Sequence, residues 1–157
     1  MEIKDSGNRR EFSTGAVRDV ADGKGRCDLL PLVTIGEMTN DRILVAIGRY
    51  VYSGNREYIY EAIRRFSEQR YHTMYEAMLE VAKHFENGAN KYAERNWEIG
   101  IPMHCYIDSG VRHYFKFMRG DTDEPHCNSF LWNMLCLLWT HDNKPEMNDL
   151  PFAEVQE

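Results

Sequence analysis

The feature that most constrains the fold is a helical repeat in the stretch TMYEAMLEVAKHFENG, residues 73–88. Met74, Ala77, Met78, Val81, Ala82 and Phe85 recur at the i, i+3, i+4, i+7 spacing that builds one apolar face on a helix. Thr73 and Glu76 form a T-x-x-E capping box at its start, and Gly88 is a natural residue for its C-terminal end. Such a helix buries its stripe only against other elements, and the chain supplies partners of the same kind. NDRILVAIGRYVY has a cap at Asn40 or Asp41 and a continuous apolar body. NREYIYEAIRRFSEQR sets Ile59, Ala62, Ile63 and Phe66 on one stripe, with Arg64 and Arg65 off it.

After a loop over ANKYAERNWEIGIP, two more helices are expected at about 104–118 and 126–140. The last is apolar almost all the way round except for Asn133. No strand pair, internal repeat or low-complexity tract is evident. The class is all-α, a helical bundle of about five helices with an irregular N-terminal segment. Residues 1–12 are expected to be loose, 13–145 to form a single domain, and 146–157 to be an acidic tail that packs loosely.

Charge narrows the partners. The net charge is −6 over 157 residues, so no basic surplus exists to displace counterions from a nucleic acid polymer. One small anion in a local basic pocket is still compatible with it. No signal peptide and no run of about 18 apolar residues is present, so a soluble protein without membrane contact is expected. Cys27, Cys105, Cys127 and Cys136 form no C-x-x-C pair, which points to reduced thiols rather than a cysteine zinc site.

Several stretches carry residues suited to chemistry. GKGR sets Lys24 and Arg26 among glycines, where a backbone approaches a phosphate closely, although a solvated turn is the simpler reading. NKYAERNW supplies Lys91, Tyr92, Arg95, Asn96 and Trp97, suited to phosphates and to stacking on a base, or to a surface loop anchored by Trp97. Asp108 and Arg112 share a helix face at i, i+4, either as an ordinary pair or as a preorganised guanidinium fork for phosphate. His113 lies about 100° further round. Asp121, Asp123 and Glu124 precede a helix start, where acids favour the positive end of the helix dipole. Asp121 and Asp123, at i, i+2, can also share a magnesium ion. His126 can complete that shell, contact phosphate or cap the helix. Asn133, if buried, must find partners for its amide.

Together TGAVRD…GKGRCDLLP, NGANKYAERNWEIGIP, DSGVRHYFKFMRGDTDEPH and FLWNMLCLLW resemble, in this order and over about residues 13–141, a phage-encoded family, the dATP/dGTP diphosphohydrolase N-terminal type. The resemblance implies an α-helical nucleotide pyrophosphatase related to MazG-like enzymes. Such a protein uses magnesium to cut deoxynucleoside triphosphates to monophosphates and pyrophosphate in a bacterial host cytoplasm. It implies a pocket of Lys24, Arg26, Asp28, Lys91, Tyr92, Arg95, Asn96, Trp97, Arg112, His113, His126 and Asn133, with Asp108, Asp121 and Asp123 catalytic and Asp121 and Asp123 holding the metal. By analogy with MazG-like folds it also implies a homo-oligomer. Ser129 stands where many members carry a second histidine, and the paired acidic helices of MazG-like enzymes are not evident. The alternative is therefore a non-catalytic sponge that sequesters a host immune signalling nucleotide.

Overall fold

The computed structural model describes residues 3–155, so the first two positions of the N-terminal segment and the last two of the acidic tail lie outside the described residues. A short hairpin comes first. β1 (Arg9–Glu11) and β2 (Val17–Asp19) run antiparallel, with Arg9 opposite Asp19, Arg10 opposite Arg18 and Glu11 opposite Val17. Helices α1 (Leu32–Thr39), α2 (Arg42–Ser53), α3 (Arg56–Arg70) and α4 (Met74–Lys91) follow. The single turn α5 (Asn96–Ile99) leads to α6 (Met103–Arg119) and α7 (His126–Asn143). The all-α bundle expected from the sequence is therefore present, its five long helices being α2, α3, α4, α6 and α7.

Caps set the helix starts. The Asp41 carboxylate accepts from Ile43 N at 3.0 Å and Leu44 N at 3.1 Å, while its second oxygen accepts from Tyr114 Oη on α6 at 2.6 Å. Thr73 Oγ1 accepts from Glu76 N at 3.1 Å, but the Glu76 carboxylate reaches His72 N at 2.8 Å, one residue before the partner a capping box uses. Gly88 does not end α4, which continues to Lys91 and closes with Tyr92 N donating to Gly88 O. The buried face of α4 is also rotated from the expected stripe: Ala77, Val81 and His84 are buried and Ala82 is exposed.

Glycines permit two close helix crossings. A Cβ on Gly48 of α2 would lie 2.7 Å from the Val33 side chain and 2.8 Å from Val33 N on α1. On α6, a Cβ at Gly110 would meet Met134 Cε of α7 at 2.6 Å. The α6–α7 hairpin is the centre of the molecule, and Phe66, Tyr106, Ile107, Phe130 and Leu137 are fully buried around it.

Within the described residues, the segments expected to be loose make specific contacts. Leu150 and Phe152 are buried, and Phe152 packs edge-on against Tyr50 with ring centroids 5.5 Å apart. The hairpin, absent from the sequence-based expectation, is fastened by side chains from α5 and the end of α4. Asn96 accepts from Val17 N at 3.0 Å and donates to Val17 O at 2.8 Å; Tyr92 Oη accepts from Asp19 N at 3.1 Å. These bonds replace the neighbouring strands that a three-residue ribbon lacks.

Candidate functional site

Docking of the hairpin against α4, α6 and α7 forms a partly open cavity of about 220 Å³. Its wall carries seven Lys or Arg side chains (Lys4, Arg10, Arg18, Lys24, Lys91, Arg112 and Lys116) against three carboxylates, Asp19, Asp108 and Glu124. A chain of net charge −6 thus concentrates positive charge at one interior surface. Arg10 Nε, Arg18 Nη1, Arg112 Nε, His84 Nδ1 and Ser129 Oγ are buried without a hydrogen-bond partner among the described residues. Buried guanidinium N–H groups are costly to leave unpaired, so a wall bearing three of them calls for an acceptor.

Two arginines are held rigidly. Arg112 Nη2 donates to Asp108 Oδ1 and to Gly25 O, each at 2.6 Å. Asp108, only 3% exposed, also accepts from Cys27 N at 2.7 Å. Its carboxylate thereby aims Arg112 and fastens the GKGRC loop to α6. Arg18 lies 5.4 Å from the ring centroids of both Tyr106 and Trp132, and its Nη2 donates to Asn133 Oδ1 at 3.2 Å. Asn133 Nδ2 donates in turn to Ser129 O at 2.8 Å. The lone amide of the apolar helix is therefore spent on positioning Arg18.

Electrostatics follow from burial. His84 has its pKa pushed down to about 4, first by burial and then by Arg18 and Lys91. His113 is driven well below the usual histidine value by burial and by His126. At neutral pH both rings are neutral, which spares the cavity further positive charge. The His113 and His126 Nδ1 atoms face each other at 2.9 Å, and His126 Nε2 lies 2.8 Å from Asp123 Oδ1.

Of the residues singled out from sequence, Lys24, Lys91, Tyr92, Asn96, Asp108, Arg112, His113 and Asn133 line the cavity. Tyr92, Asn96 and Asn133 do so while spending polar groups on the fold. His126 stands behind His113. The others lie elsewhere: Arg26 and Asp28 form a bidentate pair at 2.8 and 2.7 Å, and Arg95 is exposed and paired with Glu98 at 2.8 Å. Trp97 packs edge-on against Phe85 and Trp139. Asp121 is gripped by Arg119, and Asp123 by Lys4 as well as His126.

Sequence reasoning passed over Arg10, Arg18, His84, Lys116, Glu124 as a wall residue, and Trp132. Arg18 was visible inside TGAVRD, and His84 sits three residues after Val81 on the apolar face of α4. Neither can be assigned to a pocket until the hairpin is docked.

Two groups bring metal-ligating atoms within 4.8 Å of one another: His113 with Glu124 and His126, and Asp121 with Asp123 and His126. A magnesium ion on the second group would have to displace Arg119 and Lys4 from its carboxylates, and neither aspartate borders the cavity.

The chain forms a predominantly helical domain whose cavity gathers seven cationic side chains and buried guanidinium donors without a partner among the described residues. More particularly, the chain belongs to the dATP/dGTP diphosphohydrolase N-terminal family, whose model matches residues 64–150. That span runs from the second half of α3 through α7, and the hairpin with Arg10, Arg18 and Lys24 lies outside it. No curated protein and no solved structure gives a match. Among the described residues, no helix is long and apolar enough to cross a membrane.

Proposed function

We propose that the cavity receives the phosphate chain of a purine deoxynucleoside triphosphate, and that the protein hydrolyses this substrate to the monophosphate and pyrophosphate. The family's name supplies the reaction and the purine. The observation that carries the phosphate placement is the set of buried, unpartnered donors on Arg10, Arg18 and Arg112. Guanidinium groups held in place before the substrate arrives stabilise charge on phosphoryl oxygens without reorganisation. Pockets for whole ligands typically span about 300–1,000 Å³. The smaller cavity seen here fits the charged chain, with sugar and base directed outward past Lys4 and Lys24. Trp132 and Tyr92 line the cavity and are the aromatic surfaces nearest to such a ligand. The setting that goes with this reading is a phage product acting as a homo-oligomer in a bacterial host cytoplasm.

A sponge that keeps its nucleotide intact is the second reading, favoured by the engagement of Asp121 and Asp123 with the protein's own cations. Mass spectrometry separates the two. The protein is incubated with divalent metal and a panel of deoxynucleoside triphosphates, cyclic dinucleotides and ADP-ribose derivatives. The filtrate and the heat-released protein fraction are then analysed apart. Conversion of dATP or dGTP to monophosphate and pyrophosphate supports hydrolysis. A nucleotide depleted from the filtrate and recovered whole from the protein supports the sponge and overturns hydrolysis.

A further inference from the structure

We infer that His113, Glu124 and His126 form a binding site for one transition-metal ion of the zinc class. The ion's place beside the phosphates rests on the function proposed above; its binding does not. His113 comes from α6, His126 is the first residue of α7, and Glu124 lies in the turn between them. The three present ligand atoms within 4.8 Å of one another.

The facing Nδ1 atoms, 2.9 Å apart, are the first support. Two nitrogens each about 2.0–2.1 Å from one ion lie roughly 2.9–3.4 Å apart for angles between a right angle and the tetrahedral one, so the rings stand at the short end of the spacing of two ligands of the same ion. A simple N–H···N bond would give a similar distance, and two further features favour the metal. His126 is 3% exposed, and its Nε2 meets the Asp123 carboxylate at 2.8 Å. That contact places the proton on Nε2 and turns the Nδ1 lone pair toward His113. Ligating histidines are commonly held in this way, the second ring nitrogen donating to a carboxylate.

Glu124 is the second feature. It is 7% exposed, with Oε1 fixed by Lys4 N at 2.9 Å. A histidine pair joined by one hydrogen bond has no use for a buried carboxylate within reach of both rings. A cation does, because the carboxylate completes a two-nitrogen, one-oxygen set and offsets its charge. Lys4 Nζ, a competing cation on the same residue, is directed to Asp123.

Imidazole donors suit zinc, copper, iron or nickel, with cobalt a spectroscopic stand-in for zinc, whereas magnesium takes oxygen donors in a near-ideal octahedron. The site is therefore distinct in chemistry from a magnesium pair on Asp121 and Asp123. His113 and Glu124 line the cavity, which sets the ion against the place assigned to the phosphates.

The test uses the full chain, stripped with chelator, and metal alone. Isothermal titration with Zn²⁺ and Mg²⁺ is paired with the visible spectrum of Co²⁺. Expected are one Zn²⁺ or Co²⁺ per chain, ligand-field bands from Co²⁺, and affinity about 100-fold or more above that for Mg²⁺. His113→Ala, His126→Ala and Glu124→Gln should each abolish the bands, and Asp123→Asn should weaken binding about 10–100-fold. Asp121→Asn should leave the affinity unchanged. Melting curves check folding; if a buried histidine variant unfolds, Glu124→Gln, which keeps an acceptor for Lys4 N, decides. Absence of Zn²⁺ and Co²⁺ binding, or a preference for Mg²⁺ lost in Asp121→Asn, overturns the inference. A nucleotide-induced rise in melting temperature is measured separately. A chain that binds nucleotide but no metal fails this inference alone, and one that binds metal but no nucleotide fails only the proposed function.

Discussion

Acidification reads the charge of the cavity through His84. The ring is buried on α4 against Trp132, with centroids 5.5 Å apart, and its pKa falls from 6.5 to about 4 because of burial and then Arg18 and Lys91. Between these two values the unfolded chain binds the proton and the native chain does not, so stability rises with pH across the window. The contribution is fully present above pH 6.5 and is lost progressively as the pH falls toward 4. One unit of pKa corresponds to about 1.4 kcal/mol, so protonating His84 costs roughly 3 kcal/mol by the acid end of the window. That is a large share of the 5–15 kcal/mol typical of a domain.

Urea unfolding of the wild type and of His84→Asn, repeated across this pH range, isolates the effect in the difference between the two profiles. The difference should run with a slope approaching 1.4 kcal/mol per pH unit. Inorganic phosphate should flatten it, because an anion among Arg18 and Lys91 relieves the charge that opposes the imidazolium. Parallel profiles for wild type and variant would refute the assignment of a neutral buried His84. A phosphate-insensitive difference would refute its coupling to an anion site.

Further outcomes follow from other contacts. Arg18→Met should weaken inorganic phosphate or nucleotide binding about 10–100-fold by calorimetry, the worth of one charged hydrogen bond of about 1.5–3 kcal/mol. Asp108→Ala leaves the nearly buried Arg112 side chain without its carboxylate and frees Cys27 N, so denaturant unfolding should show a loss of about 3–5 kcal/mol. Asn96→Ala removes both bonds to Val17, and hydrogen exchange should show β2 opening with a cost of about 1–3 kcal/mol for each unsatisfied group. Gly48→Val forces a Cβ to within 2.7 Å of Val33 and should destabilise the chain by about 1–3 kcal/mol in the same unfolding assay.

Helix positions were legible in the sequence because the apolar repeat is local. Ile59, Ala62, Ile63 and Phe66 are all buried on α3, and Asp41 and Thr73 cap the helices they precede. Propensity and periodicity act over a few residues, and one turn of helix contains the information needed to read them. Less was legible where the partner is distant. The rotation of α4 that buries His84 and exposes Ala82 depends on Trp132, which lies 48 residues further along the chain. The hairpin has no strand signal of its own, since its pairing is made worthwhile by Asn96 and Tyr92.

The candidate site divides along the same line. The sequence by itself determined an all-α bundle, the i, i+4 juxtaposition of Asp108 with Arg112, and the gathering of acids before α7. Only the tertiary structure decided that Asp108 fastens a loop, that Asp121 and Asp123 are neutralised by Arg119 and Lys4, and that Arg10 and Arg18 line a cavity while each keeps a buried donor without a partner among the described residues. The physical reason is that a buried charge is defined by whatever compensates it. Some of the compensating groups here come from more than a hundred residues away, as Lys4 with Asp123 and Arg18 with Asn133 show.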